Sequence, residues 1–284
     1  MNNCAPNKKF ENGSCLTVND LIDMTKEYNN RHNDNKKIIK NKKFLLNQVN
    51  NIMNNKYKCS ENDQLCWMDT NLVNNLPHIK DSTFRPLGPK GKYEWLSTTD
   101  INDVMNQYEY LHKDFKFYGA IPYDFDILPQ LEIYNINYDD LIKTNKTRIG
   151  TVINLDTHDQ SGSHWVALYC DINNNKIYYF DSFAKKPGKR LKKFIRNTLT
   201  YMYNKKYNTS LTTQKFLSRI IDNNDFDVRF NKKQHQFKNS ECGVYSMNFI
   251  IRLLNGETFD EVQDDIMKDD NMNACRKVYF RKEE

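Results

Sequence analysis

The tetrapeptide Glu241-Cys242-Gly243-Val244 marks a change from a polar turn to an apolar run. Val244, Met247, Phe249, Ile250, Leu253 and Leu254 recur at helical spacing and Asn255-Gly256 supplies a stop, so a buried helix is expected over residues 242–254. Asn239 and Ser240 are cap-competent residues just ahead of it. Cys242 therefore falls in the first turn, among unpaired backbone N–H groups and at the positive end of the helix dipole. A helix start of this kind can ease ionisation of a thiol, and the thiolate is the nucleophilic form. The plainer alternative is a packing cysteine, since free Cys is often buried.

What favours chemistry is whether the chain also offers a base, an orienting group and an oxyanion donor. Of six histidines, His164 alone heads an apolar run, His164-Trp-Val-Ala-Leu-Tyr-Cys-Asp171. Asp181 ends the next β-rich run, 17 residues on. In an antiparallel hairpin the start of one strand neighbours the end of the next, so His164 and Asp181 can meet as base and orienting carboxylate. Gln236 lies six residues before Cys242. Its amide N–H₂ and the Cys242 backbone N–H are candidate donors to the oxygen that turns negative when a thiolate attacks a carbonyl. Taken singly, these are an ordinary surface glutamine and a strand-ending aspartate; it is the combination that favours acyl chemistry.

The elements that must position these groups are legible in outline. Three strands are expected over residues 148–155, 164–171 and 177–181, the last two as a hairpin across an Asn-rich turn. A further strand is expected over 115–121 and a short one over 225–230, with an ambiguous helix-like segment at 131–142. Ser97 and Asp100 have capping-box spacing, so a helix should start there with Trp95 and Leu96 just outside it. Residues 189–203 place Leu191, Phe194, Ile195, Leu199 and Met202 on one face of a helix and Lys/Arg opposite. Strands between two helices, the later bearing the cysteine, indicate an α+β layered domain. Residues 1–90 differ: short helical patterns at 20–28 and 43–53, and a third helix at 59–73 anchored by Trp67, suggest a helical appendage. The cluster Arg85-Pro86-Leu87-Gly88-Pro89-Lys90-Gly91 makes the boundary, giving domains 1–90 and 91–284.

The formal net charge of +6 is local: residues 182–221 hold eleven Lys or Arg and no acid, so the remainder is net negative. A basic helix at 185–206 suggests a nucleic-acid or acidic protein partner, a solvated face being the commoner meaning. No run of about 18 apolar residues is present and the first ten residues are polar, so neither a membrane span nor a secretory leader is expected. Seven cysteines without close paired spacing fit a reducing compartment, with Cys59 and Cys66 read as core residues and no metal site foreseen.

The order His164-Trp165, Asp181, Gln236, Cys242-Gly243 resembles clan CE cysteine proteases: adenain, the SUMO proteases, and the polyprotein-processing, SUMO-1-type proteases of large DNA viruses such as African swine fever virus. The resemblance covers residues 93–256 and implies an adenain/ubiquitin-like-protease-type, papain-like layered fold. It also implies a thiol endopeptidase with a Cys242–His164–Asp181 triad, Gln236 as oxyanion donor and no cofactor. Tryptophans matching Trp95 and Trp165 line a narrow substrate tunnel in that family, admitting Gly-Gly ahead of the scissile bond. The helical appendage resembles the viral branch, which implies cleavage of structural polyproteins during maturation, in the virion and host cytoplasm. That branch carries Asn as its orienting group, whereas Asp181 resembles the SUMO-protease arrangement. Removal of SUMO or ubiquitin, an acetyltransferase on the same triad, and a catalytically silent binding module remain alternatives.

Overall fold

In the computed structural model, which describes residues 3–217 and 225–282, a sheet carries the site. Its strands are Phe115–Ile121 (β1), Arg148–Asn154 (β2), Trp165–Asp171 (β3), Lys176–Phe180 (β4) and Asp227–Phe230 (β5), lying side by side in chain order. The β2–β3 and β3–β4 pairs are antiparallel, while β1–β2 and β4–β5 are parallel. Every residue of β3 is buried, as expected of a strand covered on both faces. The β3–β4 turn is built from the Asn run: Asn175 takes a left-handed φ of 54°, and the Asp171 carboxylate accepts from the backbone N–H and side-chain amide of Asn174.

Side chains alternate across the strands, and each face meets its own helix. Ile149, Ile153, Val166, Leu168, Cys170 and Ile177 form a cluster with Leu191, Leu199 and Met202 of the amphipathic helix Lys189–Tyr207. The other face is covered by Cys242–Leu254, whose Phe249 stacks on Phe180 at 4.8 Å between ring centroids. A Cβ at Gly150 would lie 2.6 Å from the Phe115 ring and 3.3 Å from Ile250, so this strand position admits only glycine beneath the helix. Thr98–Leu111 begins at a Ser97/Asp100 capping box and packs on β1 and on the Cys242 helix. The ambiguous helix-like segment at 131–142 is a 3₁₀ turn, Glu132–Asn135, and a short helix, Tyr138–Lys143, capped by Asn137. Residues 218–221 of the basic stretch lie outside the described residues.

The chain divides into two compact units, Pro89–Arg276, which holds this sheet, and Met1–Gly88 with Lys277–Glu284. The last residues join the N-terminal unit through local pairing that chain order does not announce. Gly88 N–H donates to the Arg281 carbonyl, Arg281 N–H to Pro86, and Arg85 Nη1 to Lys277. The unit's two long helices, Val18–His32 and Lys42–Tyr57, enclose Leu21, Met24, Tyr28, Leu45, Val49, Ile52 and the fully buried Trp67. The third expected helix is broken into Gln64–Met68 and Asn71–Asn74, because Asp63 caps the first and Thr70 caps the second while closing back on the Trp67 carbonyl.

The cysteines correct an expectation. Cys4 pairs with Cys15 and Cys59 with Cys66 as disulfides, leaving Cys170, Cys242 and Cys275 free. Separations of 11 and 7 residues are closed by turns, Asn7, Asn12, Gly13 and Asn62 taking positive φ. The asparagine-rich composition has structural use, since Asn tolerates the left-handed region better than other residues with a Cβ. Among the described residues, seven of nine non-glycine residues with positive φ are Asn.

Candidate active site

His164 stands immediately before β3 and Asp181 immediately after β4; the pairing of Ala167 with Phe180 brings these ends together. His164 Nε2 lies 2.7 Å from Asp181 Oδ1. Asp181 is wholly buried and its setting is heavily built. The Phe183 N–H donates to Oδ1 at 2.8 Å, and the buried Asn231 amide holds both the N–H and the carbonyl of Asp181, at 2.9 and 2.7 Å. Ala184 closes the turn on the Asp181 carbonyl at a φ of 56°, a left-handed conformation that alanine seldom adopts and that is tolerated where surroundings over-determine it. The Phe183 ring covers His164, with centroids 4.8 Å apart. Asn231, Phe183 and Ser182 escaped the sequence reading. Ser182 and Phe183 adjoin Asp181, but neither residue type announces its role.

Cys242 is the first residue of its helix and is buried. Glu241, not Asn239 or Ser240, occupies the N-cap, and it makes no side-chain cap because its carboxylate is taken by Ser240 Oγ and Asn273 Nδ2. The N–H groups of the first turn are thus left without a side-chain cap. A Cβ at Gly243 would come within 3.1 Å of Leu96 and 3.3 Å of Trp165, so glycine lets the helix start seat against both. Burial of His164 opposes its positive charge, but hydrogen bonds to Asp181 and to the Cys242 thiol outweigh that, and its pKa is pushed up to about 9. Since Asp181 occupies Nε2, Nδ1 is the nitrogen left for sulfur.

Gln236 is buried, not a surface residue. Its Oε1 accepts from Ser182 Oγ at 2.6 Å, its Nε2 donates to the Lys238 carbonyl at 2.7 Å, and its backbone N–H donates to the Ser182 carbonyl. The two tryptophans differ. Trp165 is buried, its indole N–H donating to the Leu96 carbonyl at 3.0 Å, whereas Trp95 is 46% exposed. The other core histidines stand apart: His235 bonds the Gln263 carbonyl and His158 pairs with Asp124. Among the described residues no group of three or more His, Cys, Asp or Glu is placed to hold a metal ion, and no helix is long and apolar enough to cross a membrane.

The chain is similar to known proteins along nearly its whole length. Residues 142–284 match the model of the Ulp1 protease family, C-terminal catalytic domain. A protein of Acanthamoeba polyphaga mimivirus named as a thiol protease is 38% identical over 99% of this chain and 94% of its own length. A cysteine protease of African swine fever virus is 21% identical over 71% of this chain and 73% of its own length. The crystal structure of the African swine fever virus protease superposes with a TM-score of 0.59 at 17% identity, covering 86% of this chain and 94% of that one, a likeness of fold.

Proposed function

Because the chain belongs to the Ulp1 protease family and is a cysteine peptidase, we propose that it is an endopeptidase acting through Cys242, His164 and Asp181, with Gln236 at the oxyanion. The observation that carries this is the His164 ring, hydrogen-bonded at 2.7 Å to the buried Asp181 carboxylate and electrostatically coupled to the Cys242 thiol at the head of a helix. Asp181 holds the imidazole and stabilises its cationic form. The Cys242 thiolate attacks the scissile carbonyl carbon. The resulting oxyanion accepts from the Cys242 backbone N–H and from Gln236, and His164 then gives its proton to the departing amine. The thioester left on Cys242 is hydrolysed by a water that His164 activates as base.

The substrates we assign are viral structural polyproteins cut after Gly-Gly during particle maturation. The support is the resemblance of the motifs and the viral origin of the relatives, one of which aligns across the N-terminal unit as well. Trp95 is exposed enough to lie on an extended backbone, with Trp165 as a fixed wall beside Gly243, and two indoles leave room for glycine rather than a branched side chain. A second reading, removal of a SUMO-like modifier, is favoured by the name SUMO-1 cysteine protease carried by African swine fever virus relatives. A panel of Gly-Gly-X peptides beside intact SUMO and ubiquitin precursors separates the two. Cleavage of short peptides supports polyprotein processing, and cleavage of folded modifiers alone replaces it.

The basic helix is proposed as a docking site for an acidic partner. Arg190 and Lys193 are engaged by Asp126, whereas Lys192, Arg196 and Lys205 are exposed without an ion pair among the described residues. Cleavage of an acidic substrate should then fall steeply with salt, and nucleic acid should compete for the same face.

A further inference from the structure

The turn that carries Asp181 also reaches the loop that carries Gln236, and Ser182 contacts Gln236 directly. The Ser182 carbonyl accepts the backbone N–H groups of His235 and Gln236, at 2.8 and 3.0 Å, while its hydroxyl meets Gln236 Oε1 at 2.6 Å. We propose that Ser182 is a positioning residue that fixes which way the Gln236 side-chain amide faces, so that one of its N–H bonds remains available to the oxyanion. This rests on the reading of Gln236 as an oxyanion donor.

The polarity follows from what each partner can do. A backbone carbonyl can only accept, so the contact of Gln236 with the Lys238 oxygen must be made by the amino end of the amide, Nε2, at 2.7 Å. Oε1 then faces Ser182, and the hydroxyl there must donate. Gln236 is wholly buried, so water does not replace that donor. An amide has two N–H bonds; with one spent on Lys238, one is uncommitted. The loop itself is held separately: Phe237 and Lys238 donate backbone N–H bonds to the buried Asp269, at 3.0 and 3.2 Å. Ser182→Ala keeps the carbonyl that receives His235 and Gln236 and removes only the hydroxyl. It therefore tests amide orientation without releasing the loop.

The experiment measures kcat and KM on a Gly-Gly-X peptide for the wild type, Ser182→Ala, Gln236→Ala and the double variant. Alongside it, the rate of Cys242 alkylation by iodoacetamide is measured, a displacement that forms no oxyanion. Gln236→Ala should lower kcat by on the order of 10² to 10³, the cost of one oxyanion donor. Ser182→Ala should lower kcat roughly 10-fold with KM unchanged, and the double variant should match Gln236→Ala, because a residue acting only through another adds nothing once that partner is gone. Alkylation should proceed at the wild-type rate in all four. If Ser182→Ala slows alkylation, or its loss adds to that of Gln236→Ala, Ser182 acts through the triad and the proposal fails. If Ser182→Ala matches the wild type while Gln236→Ala is impaired, only the role of Ser182 is overturned. If Gln236→Ala cleaves at the wild-type rate, the oxyanion reading falls, and this inference with it.

Discussion

His158 and His164, six residues apart, each meet a carboxylate at hydrogen-bond distance: 2.6 Å to Asp124 and 2.7 Å to Asp181. By distance alone the two pairs are equivalent, and both raise the imidazole pKa. They differ in surroundings. The His158 side chain is 54% exposed and that of His164 only 11%. For His158 the Asp124 hydrogen bond is the main cause of the shift. For His164 burial opposes the shift, and the Asp181 and Cys242 hydrogen bonds must overcome it. The Asp124 carboxylate also accepts the His158 backbone N–H, so the outer pair pins the loop leading into β3, whereas the inner pair faces a sulfur. A histidine–carboxylate dyad is therefore a fastening until a nucleophile completes it.

The largest expected effect separates the pairs at once. Cys242→Ala and His164→Ala should abolish peptide cleavage to background, while His158→Ala should stay within about twofold of the wild type in kcat/KM, since no reacting group is lost. An inactive His158→Ala that still folds would break the comparison. Next in size, Asp181→Asn should lower kcat by about 10² to 10⁴, the range for disabling general-base help. Asp124→Asn should leave kcat intact and lower Tm by a few degrees, the cost of about 1 kcal/mol in a weakened loop anchor, read by thermal melts beside the assay.

The pH response sharpens the contrast further. The pKa of His164 in the folded chain, about 9, lies above that of an unfolded histidine, ~6.5. Its contribution to stability is therefore complete below ~6.5 and is lost as pH rises through about 9. The Tm advantage of the wild type over His164→Gln should shrink across that window. In a thiolate–imidazolium pair, kcat/KM should fall on the same alkaline limb, and Asp181→Asn should move that limb toward lower pH. A limb unmoved by Asp181→Asn would mean that another group sets it.

How much of this the chain declared depends on whether the signal was local. The β3–β4 hairpin is continuous in sequence, with two β-rich runs and an Asn turn, so the meeting of His164 and Asp181 followed from antiparallel pairing alone. The Cys242 helix was equally plain, because an apolar run and an Asn-Gly stop are local features. What remained hidden comes from distant chain: Asn231 reaches Asp181 across 50 residues and Ser182 reaches Gln236 across 54, and neither contact has a sequence pattern. The N-terminal unit was read least well for a related reason. Short helices cut by side-chain caps and closed by disulfides mimic one longer periodic run, and the return of residues 277–282 depends on backbone pairing with residues 86 and 88.

The smallest expected effect concerns salt, and it tests whether burial is the true difference between the two dyads. A charge pair at the surface is screened by mobile ions, and one shielded from solvent is screened much less. The carboxylate partners do not supply the contrast, since both are almost fully buried, 4% exposed for Asp124 and 0% for Asp181; only the rings differ. Ring-proton NMR titrations of the two histidines in low and in about 0.5 M salt should therefore move His158 back toward its ordinary value as the Debye length shortens to a few ångströms, while His164 stays near its low-salt value. If both shift alike, solvent and ions reach His164 as freely as His158. The attraction between the inner ring and Asp181 would then be screened like that of an exposed pair, and the low exposure of His164 would give it no protection from salt.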